Sequence, residues 1–114
     1  MISFSVFVKW DDNLSQRIDD EVFMRDLLNR IHDALVEDNK SVLVHCAQGK
    51  SRSVTIAVAY LAKFGTDCKG TLTVAESLKL VQSQRRMAEP NHSFMTQLSE
   101  MEKKKFFQLS SSLY

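Results

Sequence analysis

His45, Cys46, Gly49, Arg52 and Ser53 are the residues of this chain whose types and spacing could do chemistry together. They lie in one run, Val42, Leu43, Val44, His45, Cys46, Ala47, Gln48, Gly49, Lys50, Ser51, Arg52, Ser53. An apolar stretch ends at a cysteine, a short loop holds one glycine, and an arginine follows where a helix is due to begin. That order of parts suits phosphoryl transfer through a thiolate. The run 41–44 predicts a buried strand, and 53–63 predicts a helix packed behind it. A loop joining the two turns its backbone N–H groups inward and forms an anion seat at the helix N-terminus. Cys46 falls at the base of that seat, where the N–H groups, the helix dipole and Arg52 all favour the thiolate over the thiol. The guanidinium of Arg52 is a planar fork that meets two phosphate oxygens together, which an ammonium does not. A structural cysteine followed by a surface arginine would leave the strand, the glycine and the helix start unexplained.

Read as His-Cys-x5-Arg-Ser, these residues resemble the signature of the cysteine-dependent protein phosphatases, and Ser51-Arg52-Ser53 resembles the dual-specificity branch of that superfamily. The resemblance runs from about Val6 to Phe107 and implies an α/β fold: a short, central, mostly parallel sheet flanked by helices. It implies that Ala47, Gln48, Gly49, Lys50, Ser51 and Arg52 bind phosphate, and that Cys46 attacks phosphorus. Ser53 would donate a hydrogen bond to the sulfur as it leaves. His45 would orient the cysteine and its loop, a buried structural histidine being the alternative. The implied reaction is hydrolysis of phosphotyrosine, and of phosphoserine or phosphothreonine, through a cysteinyl-phosphate, with no metal or other cofactor.

A second match lies downstream, where Pro90, Asn91, Phe94, Gln97 and Leu98 resemble the Pro-Asn-x-x-Phe-x-x-Gln-Leu segment that opens the last helix of dual-specificity phosphatases. There the asparagine helps hold the phosphate loop. From its residue type alone, Asn91 caps a helix, and both roles are compatible.

Departure of the leaving oxygen needs a proton, so a carboxylic acid must reach it. The family places an aspartate on a loop after a strand, well before the cysteine, and the candidates are Asp11 and Asp12. Asp12 is preferred, because Trp10 and Val8 supply the apolar positions two and four residues before it; Asp11 has Lys9 and Phe7 there. A plain polar turn at 11–13 is the alternative. One departure from the family stands out: relatives carry one or two further strands before the equivalent of 2–10, so the N-terminal part of this chain is reduced, and either the sheet is trimmed to few strands or the rest lies on another segment.

Bulk properties bound the rest. The 114 residues suffice for one domain, read as a single phosphatase-like catalytic domain over 1–114. Fifteen Lys and Arg against fourteen Asp and Glu argue for neither nucleic-acid nor membrane partners; a phosphorylated protein is the expected one. Oligomeric state is not legible. Two cysteines, Cys46 and Cys68, and three histidines give neither a disulfide framework nor a metal-ligand cluster. A nucleophilic thiol requires a reducing compartment, so cytoplasm or nucleus is expected. Cys68 could trap an oxidised Cys46 but reads as an ordinary small residue near a turn.

The pattern elsewhere predicts a strand over 2–10 and a helix over 19–37, with Val22, Phe23, Leu27, Leu28, Ile31, Leu35 and Val36 at helical spacing. The next helix should stop at Gly65. Thr73 and Glu76 form a capping box for a helix over 74–84, with Ala75, Leu78, Leu80 and Val81 facing the core. A last helix over 93–107 should bury Phe94, Leu98, Met101 and Phe106. His32 and His92 read as surface or capping residues, and Met87, Met95 and Met101 as core filler. Lys103, Lys104 and Lys105 read as a solvated helix end that could touch anionic partners. Competing functional readings are a phosphoinositide or RNA 5′-phosphatase, suggested by Lys50 in the loop but opposed by Ser51 and Ser53, and a low-activity phosphoprotein-binding pseudophosphatase.

Overall fold

The computed structural model describes residues 3–7, 10, 15–37, 41–45, 51–66, 71–84 and 89–109. Strands β1 (Ser3–Phe7) and β2 (Ser41–His45) pair in parallel, with Ser3 opposite Ser41 and Phe7 opposite His45. Parallel neighbours need a crossover, and here it contains helix α1 (Glu21–His32), which widens into a π-helical turn at Asp33–Glu37. The pairing sends both strands toward one edge. From that edge β1 leads through Trp10 to Asp11 and Asp12, and β2 leads directly to Cys46. Ligands of α/β folds bind outside the carboxyl ends of the strands, the edge at which Phe7 and His45 end β1 and β2.

Asp20 starts α1 by accepting the Phe23 N–H at 3.1 Å. The buried stripe is Met24, Leu27, Leu28, Ile31 and Ala34. Val22 (75% exposed), Phe23 (49%), Leu35 and Val36, expected on that face, lie outside it. Val22 sits two residues from Met24 and therefore points nearly opposite. After His32 the wider turn changes the angular spacing, which brings Ala34 in and leaves Leu35 and Val36 out.

Helix α2 (Ser51–Phe64) is buried almost all round, as a central helix must be. It stops at Gly65, whose φ of 71° favours glycine and whose N–H bonds the Leu61 carbonyl at 2.8 Å. Helix α3 (Val74–Gln84) opens on the expected capping box: Glu76 N–H to Thr73 Oγ1 at 3.0 Å, and Thr73 N–H to Glu76 Oε1 at 2.9 Å. Its rotation differs from expectation. Val74 and Ser77 are buried, Leu78 and Val81 are partly buried against the core, and Ala75 and Leu80 are exposed. The Glu102 carboxylate takes the Val74 N–H at 2.8 Å and docks that end. Ser77 satisfies its own hydroxyl on the Thr73 carbonyl at 2.9 Å, which lets a small polar residue occupy the core face.

Helix α4 (His92–Lys103) and the short α5 (Phe106–Leu109) replace the single last helix expected. The break comes at Lys104 and Lys105, the latter at φ 64°. It redirects the chain so that Phe106 and Phe107 both enter the core, edge to face at 5.2 Å. Phe94, Leu98, Met101 and Phe106 are buried as expected, and Met95 is partly so. Met87, Cys68 and the segments 38–40 and 110–112 lie outside the described residues.

Candidate active site

Arg52 organises the described part of the site. It lies in the first turn of α2, which begins at Ser51 instead of the expected position 53. Two bonds hold that early start. The Ser51 carbonyl accepts the Thr55 hydroxyl at 2.6 Å, and Ser51 Oγ accepts the backbone N–H of Asn91 at 2.6 Å. The Arg52 side chain is buried, and its Nη1 donates to the carbonyl oxygen of Trp10 at 2.6 Å. A carbonyl partner compensates part of the cost of burying a cation and fixes the direction of the fork.

Trp10 is anchored in turn. Its ring lies 6.1 Å from both Phe23 and Phe94, tilted against each, and it is 8% exposed. The residue directly before Asp11 and Asp12 is thus tied to α2 by a charge-assisted hydrogen bond and to α1 and α4 by aromatic packing. On the far side of the 11–14 segment the chain is held by Gln97. Its Oε1 accepts the Ile18 N–H at 2.7 Å, while its Nε2 donates to the Gln16 carbonyl at 2.9 Å and to Ser93 Oγ at 3.1 Å. Both shoulders of the candidate acid segment are therefore clamped by buried polar groups.

Asn91 caps α4, its Oδ1 accepting the Phe94 N–H at 2.8 Å. Its backbone N–H reaches Ser51, so the start of α4 and the start of α2 are joined directly. Ser53 is half-buried in the same first turn. His45 closes β2 opposite Phe7. Cys46, Ala47, Gln48, Gly49, Lys50, Asp11 and Asp12 lie outside the described residues.

Three contacts were not expected from the sequence: those of the Trp10 carbonyl with Arg52, of the Ser51 hydroxyl with Asn91, and of the Gln97 amide with Gln16 and Ile18. Gln97 could have been found, since a glutamine in the apolar series Phe94, Leu98, Met101 is a buried amide needing partners. A backbone carbonyl acceptor carries no sequence signal.

The other titratable groups stand apart. Arg17 and Asp19 form an exposed pair at 2.6 Å; the hydrogen bond from Arg17 holds the Asp19 carboxyl below its usual range. His32 departs from the surface role expected: it is half-buried, stacked on Phe64 at 3.9 Å, with Nδ1 3.0 Å from the Tyr60 hydroxyl. His92 is exposed. Among the described residues no group of three or more His, Cys, Asp or Glu side chains could hold a metal, and no helix is long and apolar enough to cross a membrane.

Comparison with known proteins converges on one family. The sequence profile of the dual specificity phosphatase catalytic domain matches residues 5–104. The chain is 44% identical over 95 residues to Dual specificity protein phosphatase 1 of Arabidopsis thaliana, covering 83% of this chain and 42% of that protein. It is 37% identical over 94 residues to human Dual specificity protein phosphatase 9, covering 82% of this chain and 21% of that protein. Its backbone superposes on a mouse putative dual specificity phosphatase with a TM-score of 0.74 at 21% identity, covering 92% of this chain and 74% of the other. For the Yvh1 phosphatase domain from Chaetomium thermophilum the TM-score is 0.66 at 32% identity, covering 86% and 64%. The fold is thus that of the dual-specificity cysteine phosphatases, and the chain belongs to the dual specificity phosphatase family. It spans less than half the length of these two curated relatives.

Proposed function

We propose that this chain is a protein phosphatase that hydrolyses phosphotyrosine, and phosphoserine or phosphothreonine, through a cysteinyl-phosphate. The observation that supports it best is the Arg52–Trp10 bond: the family's phosphate-holding arginine is buried and linked to the residue before the candidate acid. In this mechanism Cys46 thiolate attacks phosphorus while Arg52 and the N–H groups of 47–52 hold the non-bridging oxygens. The bond from phosphorus to the leaving oxygen breaks, and that oxygen takes the proton of Asp12. Water then attacks the cysteinyl-phosphate, giving a proton to the Asp12 carboxylate. Sulfur departs as thiolate with a hydrogen bond from Ser53, releasing phosphate. His45 orients Cys46, and Asn91 steadies the loop through Ser51.

The two carboxyl-edge segments would form the walls of this pocket, with the β1–β2 pair as the centre of the sheet. A phosphorylated protein in the cytoplasm or nucleus is the proposed substrate. Hydrolysis of para-nitrophenyl phosphate, inhibited by vanadate and lost in Cys46→Ser, tests the chemistry. Turnover undiminished in that variant would reject the nucleophile. Phosphopeptides turned over faster than inositol lipids or 5′-phosphorylated RNA would fix the substrate class.

A further inference from the structure

Gln97 is a polar residue on the buried face of α4, beside Phe94, Leu98 and Met101, and is 4% exposed. An apolar side chain there would bury without any need for partners; an amide must have its donors and acceptor met. All of them are committed. Oε1 accepts the Ile18 N–H at 2.7 Å, and Nε2 donates to the Gln16 carbonyl at 2.9 Å and to Ser93 Oγ at 3.1 Å. Only the last of these bonds lies within α4, which has its own cap in Asn91. The other two cross to residues 79 and 81 positions away in the chain. Residues 16–20 belong to no helix or strand, so no ladder of backbone bonds fixes them, and the Gln97 amide supplies the missing donor and acceptor.

What this fixes is the far end of the segment that carries the candidate acid. Five residues, 11–15, separate Trp10 from Gln16. The near end is held where the Trp10 carbonyl meets Arg52 at 2.6 Å. Asp12 is two peptide units beyond it, a span of at most about 8 Å. A segment tied at one end can swing; tied at both, it has few conformations left to lose. Proton transfer to a leaving oxygen is sensitive to such placement, whereas a good leaving group departs without the proton. We propose that Gln97 is a positioning residue for leaving-group protonation, acting by holding Gln16 and Ile18 at the end of the acid segment. This rests on the reading of Asp12, or its neighbour Asp11, as the acid.

The test compares kcat/KM for phenyl phosphate, a poor leaving group, with that for para-nitrophenyl phosphate, a good one. In Gln97→Met the ratio of the two should fall about tenfold or more. Thr96→Ala, whose hydroxyl bonds only the His92 carbonyl on the exposed side of α4, should keep the wild-type ratio. Adding Gln97→Met to Asp12→Asn should not lower the ratio further, since no proton is left to place. Equal loss on both substrates in Gln97→Met would overturn the inference, because a residue that merely supports the fold has no reason to discriminate between leaving groups. A ratio that changes in Asp12→Asn but not in Gln97→Met would overturn it while leaving the acid in place; a ratio unchanged at both aspartates would overturn the acid assignment and this inference with it. Gln97→Glu provides a second reading should Gln97→Met not fold. Its protonated carboxyl offers one donor to Gln16 and one acceptor to Ile18, so its ratio should match wild type at acid pH and fall below it once that carboxyl ionises. A ratio equal to wild type at every pH would overturn the proposal.

Discussion

At its N-terminal end α2 buries Arg52 against the Trp10 carbonyl, 2.6 Å away; at its other end it buries Lys63 against the aromatic ring of Phe64. Both cations sit on one helix at similar exposure, 9% and 5%. They differ in what answers the charge. Arg52 meets an oxygen whose position is fixed by Trp10 packing between Phe23 and Phe94, so its fork is held in place before any ligand arrives. Lys63 meets the ring of Phe64. Burial alone therefore does not distinguish a cation held by an oxygen from one packed on a ring; the partner does.

Substitutions at both ends of the helix and around it would break or sharpen that contrast. Cys46→Ser should lower aryl phosphate turnover by about a thousandfold or more, as loss of a nucleophile does, while phosphate still perturbs the amides of 51–53. Arg52→Lys should cost about a hundredfold or more in kcat/KM, since an ammonium cannot hold two oxygens and the Trp10 carbonyl together; the equivalent loss of charge at Lys63→Met should leave kcat/KM for a small aryl phosphate unchanged. Asp12→Asn should slow poor leaving groups by about a hundredfold or more and good ones far less. A loss seen at Asp11→Asn instead would move the acid by one residue.

Gln97→Ala should leave the Ile18 N–H and the Gln16 carbonyl without partners, costing about 1–3 kcal/mol in denaturant unfolding, with a larger effect on kcat than Thr96→Ala on the exposed side of the same helix. The smallest effect concerns pH. The folded-state pKa of Lys63 lies below its unfolded value, so between the two the unfolded chain binds more protons and stability rises with pH. Wild type should therefore gain stability relative to Lys63→Met as pH climbs toward 10.5 in thermal unfolding; a difference that stays flat would show that neither burial nor Arg25 weighs on that ammonium.

The elements most legible in the sequence were those with local causes. Gly65 ends α2 because its left-handed φ is easiest for glycine, and Thr73 with Glu76 opens α3 because their side chains reach the adjacent backbone. The stripe Phe94, Leu98, Met101 was readable because helical spacing alone puts those residues on one face. Rotation was less legible. Ala75 and Leu80 were expected inside, but the docking of Val74 on Glu102 turned α3, and a single helix does not record which face its neighbours will cover.

The sequence by itself determined the order strand, cysteine, loop, arginine, helix, and with it the family, because those cues depend on residues a few positions apart. Only the tertiary structure decided that Arg52 answers Trp10, that Gln97 secures the chain at Gln16 and Ile18, and that Lys63 lies over the ring of Phe64. Those partners lie 42, 79 and 81 residues apart for the first two. Such contacts follow from how packed helices bring distant segments together, and no local propensity specifies them.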